Sequence, residues 1–187
     1  MYKKLSILAL LLLLIGGVGS YFTLSQSYQE EIRSEKKVSS DMVEEIQIST
    51  DNASVEVLPT SDTETKVQLV TKGVDVSKLD FTAEVEGKKL IIRLKDKSTF
   101  YIGFNIQSSH LYVYVPQKLY HSIVIDNDNG KVKMSELNVK NLNVQTDNGR
   151  IELNKIVSEN VDVRSANGKL NLNEVEGDIK GSSNNGK

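Results

Sequence analysis

The chain of 187 residues contains no cysteine and only two histidines. The lack of cysteine excludes disulfides, zinc thiolate sites, iron–sulfur clusters and a lipid-modified N-terminal cysteine. His110 and His121 are not spaced as in helical metal-binding motifs. We therefore expect no metal site and no cofactor.

An excess of charge of one sign is also missing, because the net charge is only -2. Such a chain has no overall electrostatic attraction to nucleic acid, which we exclude as a partner. The composition, 39% hydrophobic and 26% charged, fits one globular domain with a core and some non-globular appendage.

The one long apolar run is Leu5–Leu24, twenty residues without a charge. About twenty apolar residues cross a bilayer as a helix, and Lys3 and Lys4 before them keep the N-terminus in the cytoplasm. We expect residues 1–24 to be a single-pass membrane anchor, with a cleaved signal peptide as the alternative. The polar residues 25–41 are then an extracytoplasmic stalk, because they have too few apolar positions to be buried.

Residues 42–187 are predicted to form an all-β domain. Apolar residues alternate with polar ones, as in Ile46 and Ile48, which is typical of half-buried strands. Gly87 lies between two alternating runs and predicts a hairpin, and Pro116 predicts the end of a strand.

An internal repeat occupies the C-terminal third. Asn-Gly followed by a basic residue occurs four times, at spacings of 19, 19 and 18. The pairs are Asn129-Gly130, Asn148-Gly149, Asn167-Gly168 and Asn185-Gly186. Apolar residues fall in columns between them, for example Val132, Ile151 and Leu170.

A unit of nineteen residues cannot bury both faces of its own strands, so the repeat predicts stacked windings around one apolar interior, a β-solenoid. We expect glycine at each corner because a tight bend needs positive φ. Stacking predicts that the corner asparagines form an amide ladder about 4.8 Å per step. An echo at Asn52, without the glycine, indicates irregular windings before the regular ones.

The run LYVYVPQKLYHSIVIDNDNGKV, Leu111–Val132, with the recurring SANGK and TDNGR corners, resembles the bacterial β-strand-repeat family known as "putative adhesin", a domain of unknown function. With its apolar N-terminus the chain is similar to the LiaG-like members of Gram-positive bacteria. The resemblance implies a single-stranded right-handed β-helix outside the membrane, and no enzyme activity. The chain stops where another winding should begin, so either it is truncated at its C-terminus or GSSNNGK serves as a cap.

Candidate chemistry is sparse. Asp126 and Asp128 could serve a glycan-active enzyme or bind calcium, but Asp and Asn in such a sequence more often bond their own turn. No nucleophile-elbow, phosphate-loop, dinucleotide or zinc-protease motif occurs. We expect no catalytic residues.

The corners also predict a basic column that could bind a polyanion. Its members are Lys131, Arg150, Lys169 and Lys187. Asp128 and Asp147 could neutralise it, and residues 126–187 carry nine basic and ten acidic residues, which favours an ordinary solvated face. Aromatic residues cluster between Phe100 and Tyr120, either to bind a sugar, a partner or a membrane, or to cap the core.

The sequence thus favours a non-enzymatic, membrane-anchored extracytoplasmic module for binding or spacing at the cell envelope. Its expected partners are a cell-wall polymer, a surface ligand or other membrane proteins. A glycan-active enzyme on the same scaffold is the alternative. A regulatory partner that contacts other membrane proteins through the small residues of GGVG, residues 16–19, is a third class.

Overall fold

The computed structural model describes residues 32–39, 42–74, 76–97 and 108–186, together with Leu13 and Gly16, which are helical. The strands are β1 (Ile32–Ser39), β2 (Glu45–Asn52), β3 (Ser54–Thr60), β4 (Glu64–Lys72), β5 (Leu79–Glu86), β6 (Lys89–Asp96), β7 (Ser108–Pro116), β8 (Leu119–Asn129), β9 (Val132–Asn148), β10 (Ile151–Ser165) and β11 (Leu170–Ser183). A short 3-10 turn, Val76–Lys78, precedes β5. The fold is all-β, as predicted.

The predicted anchor, residues 1–24, lies outside the described residues apart from Leu13 and Gly16. Among the residues that are described, no helix has the length and apolarity needed to cross a bilayer.

Strands β8 to β11 form the stacked windings that the repeat predicts. Their pairing is parallel, and Ile151 lies between Val132 of β9 and Leu170 of β11. The backbone of each winding is hydrogen-bonded to the equivalent segments of the windings on either side, so the equivalent apolar residues fall in one column. The solenoid-like stacking is confirmed, whereas its right hand stays a prediction.

Each regular winding has three arms, which the burial pattern of β9 reveals. The inward groups of β9 are Val132 and Met134, then Leu137 and Val139, then Leu142, Val144 and Thr146. The first bend lies at Glu136, with a φ of 56°. The equivalent Lys155 and Glu174 have φ values of 53° and 52°, so the same left-handed bend recurs in each winding.

The last repeat is 18 residues long because one residue is deleted at a bend. Val157 pairs with Glu176 and Asn160 with Asp178, so two residues of β10 lie opposite Gly177 alone. A β-bulge of this kind lets the longer strand absorb its extra residue. Gly177 has a φ of 131°, which glycine adopts readily.

The first and the last arm of each regular winding belong to two different walls, which we call wall A and wall B. Wall A consists of β5, β6, β2 and β8, followed by the C-terminal arms of β9, β10 and β11. Wall B consists of β1, β4, β7 and β3, followed by the N-terminal arms of the same three strands. Side chains from both walls meet in one hydrophobic cluster, which includes Ile46, Ile48, Val55 and Val57.

The N-terminal windings do not stack in chain order. Strand β2 pairs with β6 on one side and β8 on the other, while β3 pairs with β7 and β9. The β2–β3 winding therefore lies between the β6–β7 layer and the first regular winding. The predicted irregular early strands are confirmed, as is the hairpin at Gly87, where Glu86 pairs with Lys89.

The stalk prediction is wrong for Ile32–Ser39. These residues form β1, which pairs antiparallel with β4 from Ile32 opposite Thr71 to Ser39 opposite Glu64. Their inward positions include Ser34 and Lys36, so the alternation is too polar for a strand to be recognised from the sequence. As an edge strand, β1 needs only one partner and little apolar surface.

Candidate binding surface

The asparagine corner joins wall A to wall B in each winding, and its amide ladder is confirmed. The Nδ2 atom of Asn148 donates to Oδ1 of Asn129 at 2.9 Å, and Asn167 donates to Asn148 at 2.9 Å. The ladder continues to Asn185 at 2.8 Å and begins at Asn52, which accepts from Asn129 at 2.9 Å. The echo at Asn52 is thus a true member of the column.

The predicted reason for the corner glycines is right at one position only. Gly130 has a φ of 131°, but Gly149, Gly168 and Gly186 do not have a left-handed φ. A Cβ atom on Gly149 would instead fall far inside van der Waals contact with the carbonyl group of Gly130. At these three corners glycine is required because consecutive backbones stack too closely for a side chain.

Hydroxyl groups inside the corner bind the carbonyl groups that this stacking buries. Ser165 Oγ donates to the carbonyl of Gly149 at 3.1 Å, and Ser183 Oγ donates to that of Gly168 at 2.8 Å. Buried carbonyl groups would otherwise lack a partner, so this column of small hydroxyl residues stabilises the corner.

The corner also separates charges of opposite sign. Asp128 and Asp147 precede it and lie on the outer face of wall A, whereas Lys131 and Arg150 follow it and lie on the outer face of wall B. Residues that are three positions apart in the sequence therefore belong to different surfaces.

The two outer faces consequently carry opposite net charge. In the described strands and the corner positions beside them, the outer face of wall B has eight basic and four acidic side chains. They are Arg33, Lys37, Lys66, Lys72, Lys131, Lys133, Arg150 and Lys169, with Glu35, Glu56, Glu64 and Glu152. The outer face of wall A has ten acidic and five basic side chains. They are Glu45, Asp51, Asp80, Glu84, Glu86, Asp126, Asp128, Asp147, Asp162 and Asp178, with Lys89, Arg93, Lys95, Arg164 and Lys180.

Three of the four predicted basic residues, Lys131, Arg150 and Lys169, lie on wall B, and Lys187 lies outside the described residues. The carboxylate beside Lys131 and Arg150 is Glu152, not one of the aspartates that the sequence offered as neutralising groups. Lys131 Nζ lies 2.6 Å from Glu152 Oε2, and Arg150 Nη1 lies 3.5 Å from its Oε1. The hydrogen bond from Lys131 is the main cause that lowers the pKa of Glu152.

A second ion pair lies on the same face, between Lys133 Nζ and Glu56 Oε1 at 2.6 Å. The hydrogen bond to Glu56 is the main cause that raises the pKa of Lys133. On wall A the pKa of Asp128 is raised, first by desolvation and then by the negative charges of Asp51, Asp147 and Asp126. The acidic side chains of that face thus act on one another.

An aromatic row on β7 completes the outer face of wall B. The rings of His110, Tyr112 and Tyr114 follow one another with centroids 6.3 Å apart and interplanar angles of 17° and 19°. Lys66 Nζ lies 4.6 Å from the centroid of Tyr114. Alternation places these half-buried rings outward, because the intervening Leu111 and Val113 are fully buried.

The aromatic cluster was recognisable from the sequence, but this row was not. Tyr120 does enter the core, where its exposed fraction is 0%. Its burial raises the pKa of the hydroxyl group to about 12. Phe100, Tyr101 and Phe104, like the segment Ser98–Ile106, lie outside the described residues. The strict alternation around Tyr112 and Tyr114 was the signal that could have placed them on the surface.

The pockets along the asparagine corner are poorly suited to catalysis by paired carboxylates. Among the described residues that line them, one pocket, of about 370 Å³, has Asp96 as its single carboxylate, and another, of about 440 Å³, has Asp147. Among the described residues, no group of three or more histidine, aspartate or glutamate side chains is arranged to hold a metal ion.

The stacked windings and flat outer faces define an all-β repeat scaffold that presents side chains on regular surfaces. A family model for this architecture, Toastrack DUF4097, matches residues 43–179, and the chain belongs to that family. Among curated proteins no match was found.

Several solved structures are similar in fold. A putative cell adhesion protein of Clostridium sporogenes is 11% identical, with 82% of this chain and 98% of that chain covered and a TM-score of 0.49. A putative adhesin of Bacteroides fragilis is 12% identical, with 81% and 96% covered and a TM-score of 0.43.

Proposed function

We propose that this protein is a non-enzymatic, adhesin-like binding module, anchored in the membrane by residues 1–24 with its β domain outside the cell. The outer face of wall B is the binding surface. The observation that carries the proposal is the segregation of charge, which gives one face an excess of cations beside an aromatic row while the opposite face is acidic.

Two properties of the face support binding over catalysis. It is built from outward positions of hydrogen-bonded strands, so its side chains are held in a fixed pattern. It is also extended, whereas hydrolysis of a glycan needs a pair of carboxyl groups facing one bond. An extended surface with an excess of one charge sign attracts a partner of the other sign and orients it.

The location is tested with the full chain, expressed in a Gram-positive bacterium with a C-terminal epitope. We expect the protein to stay in the membrane fraction after an alkaline wash, and the epitope to be removed when intact protoplasts are treated with protease. Release into the medium would contradict the anchor, and protection from protease would contradict the topology.

The binding surface is tested by retention of the detergent-solubilised full chain on isolated cell envelopes. We expect the variant with Lys131→Gln, Arg150→Gln and Lys169→Gln to lose most of its retention. The matched control on wall A, with Arg93→Gln, Lys95→Gln and Arg164→Gln, removes the same charge and should bind like the parent protein. Equal loss in both variants would show a response to net charge alone and would refute the assignment to wall B.

A further inference from the structure

The geometry points to an anionic polysaccharide as the ligand of wall B. We infer that its sugar rings stack on Tyr112 and Tyr114 while its carboxylate groups bind the cations of β9 and β10. This inference rests on the proposed function, since it names the ligand of the same face.

The aromatic row supplies the contacts for sugar rings. Tyr112 and Tyr114 are held on the outer face by the buried residues between and beside them, and their rings are nearly parallel. The apolar face of a sugar, lined by C–H groups, packs against an aromatic ring, and half-exposed tyrosines lose little conformational entropy on binding. The strand therefore holds both rings in place on the outer face before a ligand binds.

The cations lie within reach of the same polymer chain. Tyr112 is opposite Glu56 of β3, and Glu56 is opposite Lys133 of β9. Lys133 is in turn opposite Glu152, which is bound by Lys131 and Arg150. Three strand spacings separate β7 from β10, about 14 Å in all. An extended oligosaccharide of a few units spans this distance.

The carboxylates on the face distinguish this ligand from denser polyanions. Glu56 lies between Tyr112 of the aromatic row and Lys133, and Glu152 lies beside Lys131 and Arg150. In these places both carboxylates repel closely spaced phosphates. Carboxylates also accept hydrogen bonds from hydroxyl groups, which a polysaccharide has and polyphosphate lacks. Rings, acceptors and cations together match a polymer of hydroxylated rings with moderate charge.

The test measures affinities of the full chain in detergent micelles for five probes by calorimetry. Polygalacturonate is the acidic polysaccharide, and its fully methyl-esterified form is the neutral control with the same backbone. Polyphosphate carries charge without sugar rings, a single-stranded oligothymidylate combines phosphates with stacking bases, and vesicles with anionic lipid test a membrane surface. We expect polygalacturonate to bind most tightly and esterification to weaken binding at least tenfold.

Matched variants separate stacking from charge. The double variant Tyr112→Leu with Tyr114→Leu should weaken polygalacturonate binding about thirtyfold. Two aromatic contacts of about 1 kcal/mol each contribute about 2 kcal/mol, and each 1.4 kcal/mol is about a factor of ten. The same variant should leave polyphosphate binding unchanged. Tyr112→Phe with Tyr114→Phe retains the rings and should restore most of the affinity. Unchanged thermal unfolding of each variant establishes that the fold is intact.

The inference is overturned if polyphosphate, the oligonucleotide or the vesicles bind as tightly as polygalacturonate, or if the leucine variant binds all probes like the parent protein. Envelope retention that depends on wall B without polygalacturonate binding would refute this inference and leave the proposed function standing. Polygalacturonate binding without envelope retention would refute the proposed function at the cell envelope and leave the ligand of wall B standing.

Discussion

The regular region of the molecule, β8 to β11, and the N-terminal region, β1 to β7, reach the same two-walled architecture by different means. In the regular region every winding pairs in parallel with a copy of itself about 19 residues away. In the N-terminal region a pair of antiparallel edge strands and an inserted winding extend the same walls. The difference teaches that the corners of the regular region depend on close backbone stacking, whereas the hairpin of the N-terminal region depends on the conformation of its turn.

Glycines show this difference most directly. Gly149 does not have a left-handed φ, but the carbonyl of Gly130 leaves no space for a Cβ there. Gly87 is the reverse case, with a φ of 62° and nothing within 4 Å of the position of a Cβ. The first glycine is needed for its size and the second for its backbone conformation.

Replacing Gly149 with alanine should have the largest effect. The new Cβ collides with the carbonyl of Gly130, so two windings must separate, and we expect a loss of at least about 3 kcal/mol in the free energy of unfolding. Gly87→Ala should cost only about 1 kcal/mol, because alanine disfavours left-handed backbone. Urea denaturation followed by circular dichroism measures both, and equal costs would break the distinction.

Replacing Asn148 with alanine should have the next largest effect. It removes two amide hydrogen bonds, to Asn129 and from Asn167, and we expect a loss of about 1 kcal/mol in the free energy of unfolding. Asn154→Ala removes a single such bond, from Asn173 at 2.7 Å, and should cost about half as much. A larger effect at Asn154 would show that the corner ladder adds nothing special to the regular region.

Replacing Lys155 with glycine should slightly stabilise the protein despite the loss of an ion pair. Lys155 has a φ of 53°, which is unfavourable for a residue with a side chain. Its bond to Glu136 at 3.1 Å is solvent-exposed, so it contributes little. A higher urea midpoint is expected, and the variant Lys155→Ala, which keeps the strain, serves as the control. A lower midpoint for the glycine variant than for the alanine variant would contradict the argument.

The smallest effect should come from Asp128→Asn, which probes the difference between the outer faces. The pKa of Asp128 is raised above 3.8 in the folded protein, so the folded state binds more protons than the unfolded state just above that pH. The stability contribution of this group therefore falls as pH rises through the folded pKa. The variant should unfold at a slightly higher temperature at pH 7, and the gain should vanish below pH 3.8. A gain that persists in acid would not be electrostatic.

The repeat made most of the regular region predictable, because the Asn-Gly corners and the apolar columns each indicated stacking. The left-handed bends at Glu136 and Lys155 were not predictable, since neither residue type signals a turn. The strand Ile32–Ser39 was missed because polar Ser34 and Lys36 take up half of its inward positions. The place of β2–β3 between later strands follows from pairings 77 residues apart, such as Asn52 with Asn129.

The binding surface was only partly predictable for a different reason. Basic and acidic residues are nearly equal in number along residues 126–187, so the sequence indicated no net electrostatic field there. The corner distributes those charges over two faces, which only the register of the strands reveals. The column of Lys131, Arg150 and Lys169 was recognisable from the repeat. That Glu152 pairs with Lys131 and Arg150, and that Tyr112 shares their face, only the structure reveals.

The inserted winding has a consequence for the order in which the protein matures. Because synthesis starts at the N-terminus, β2 and β3 lack their partners β8 and β9 until more than seventy further residues have been added. Bringing such distant segments together slows folding, and until it is complete the unpaired strand edges are prone to aggregation. Folding of this chain should thus depend on factors that shield nascent strands, and a circular permutant beginning at β8 should assemble along a different route.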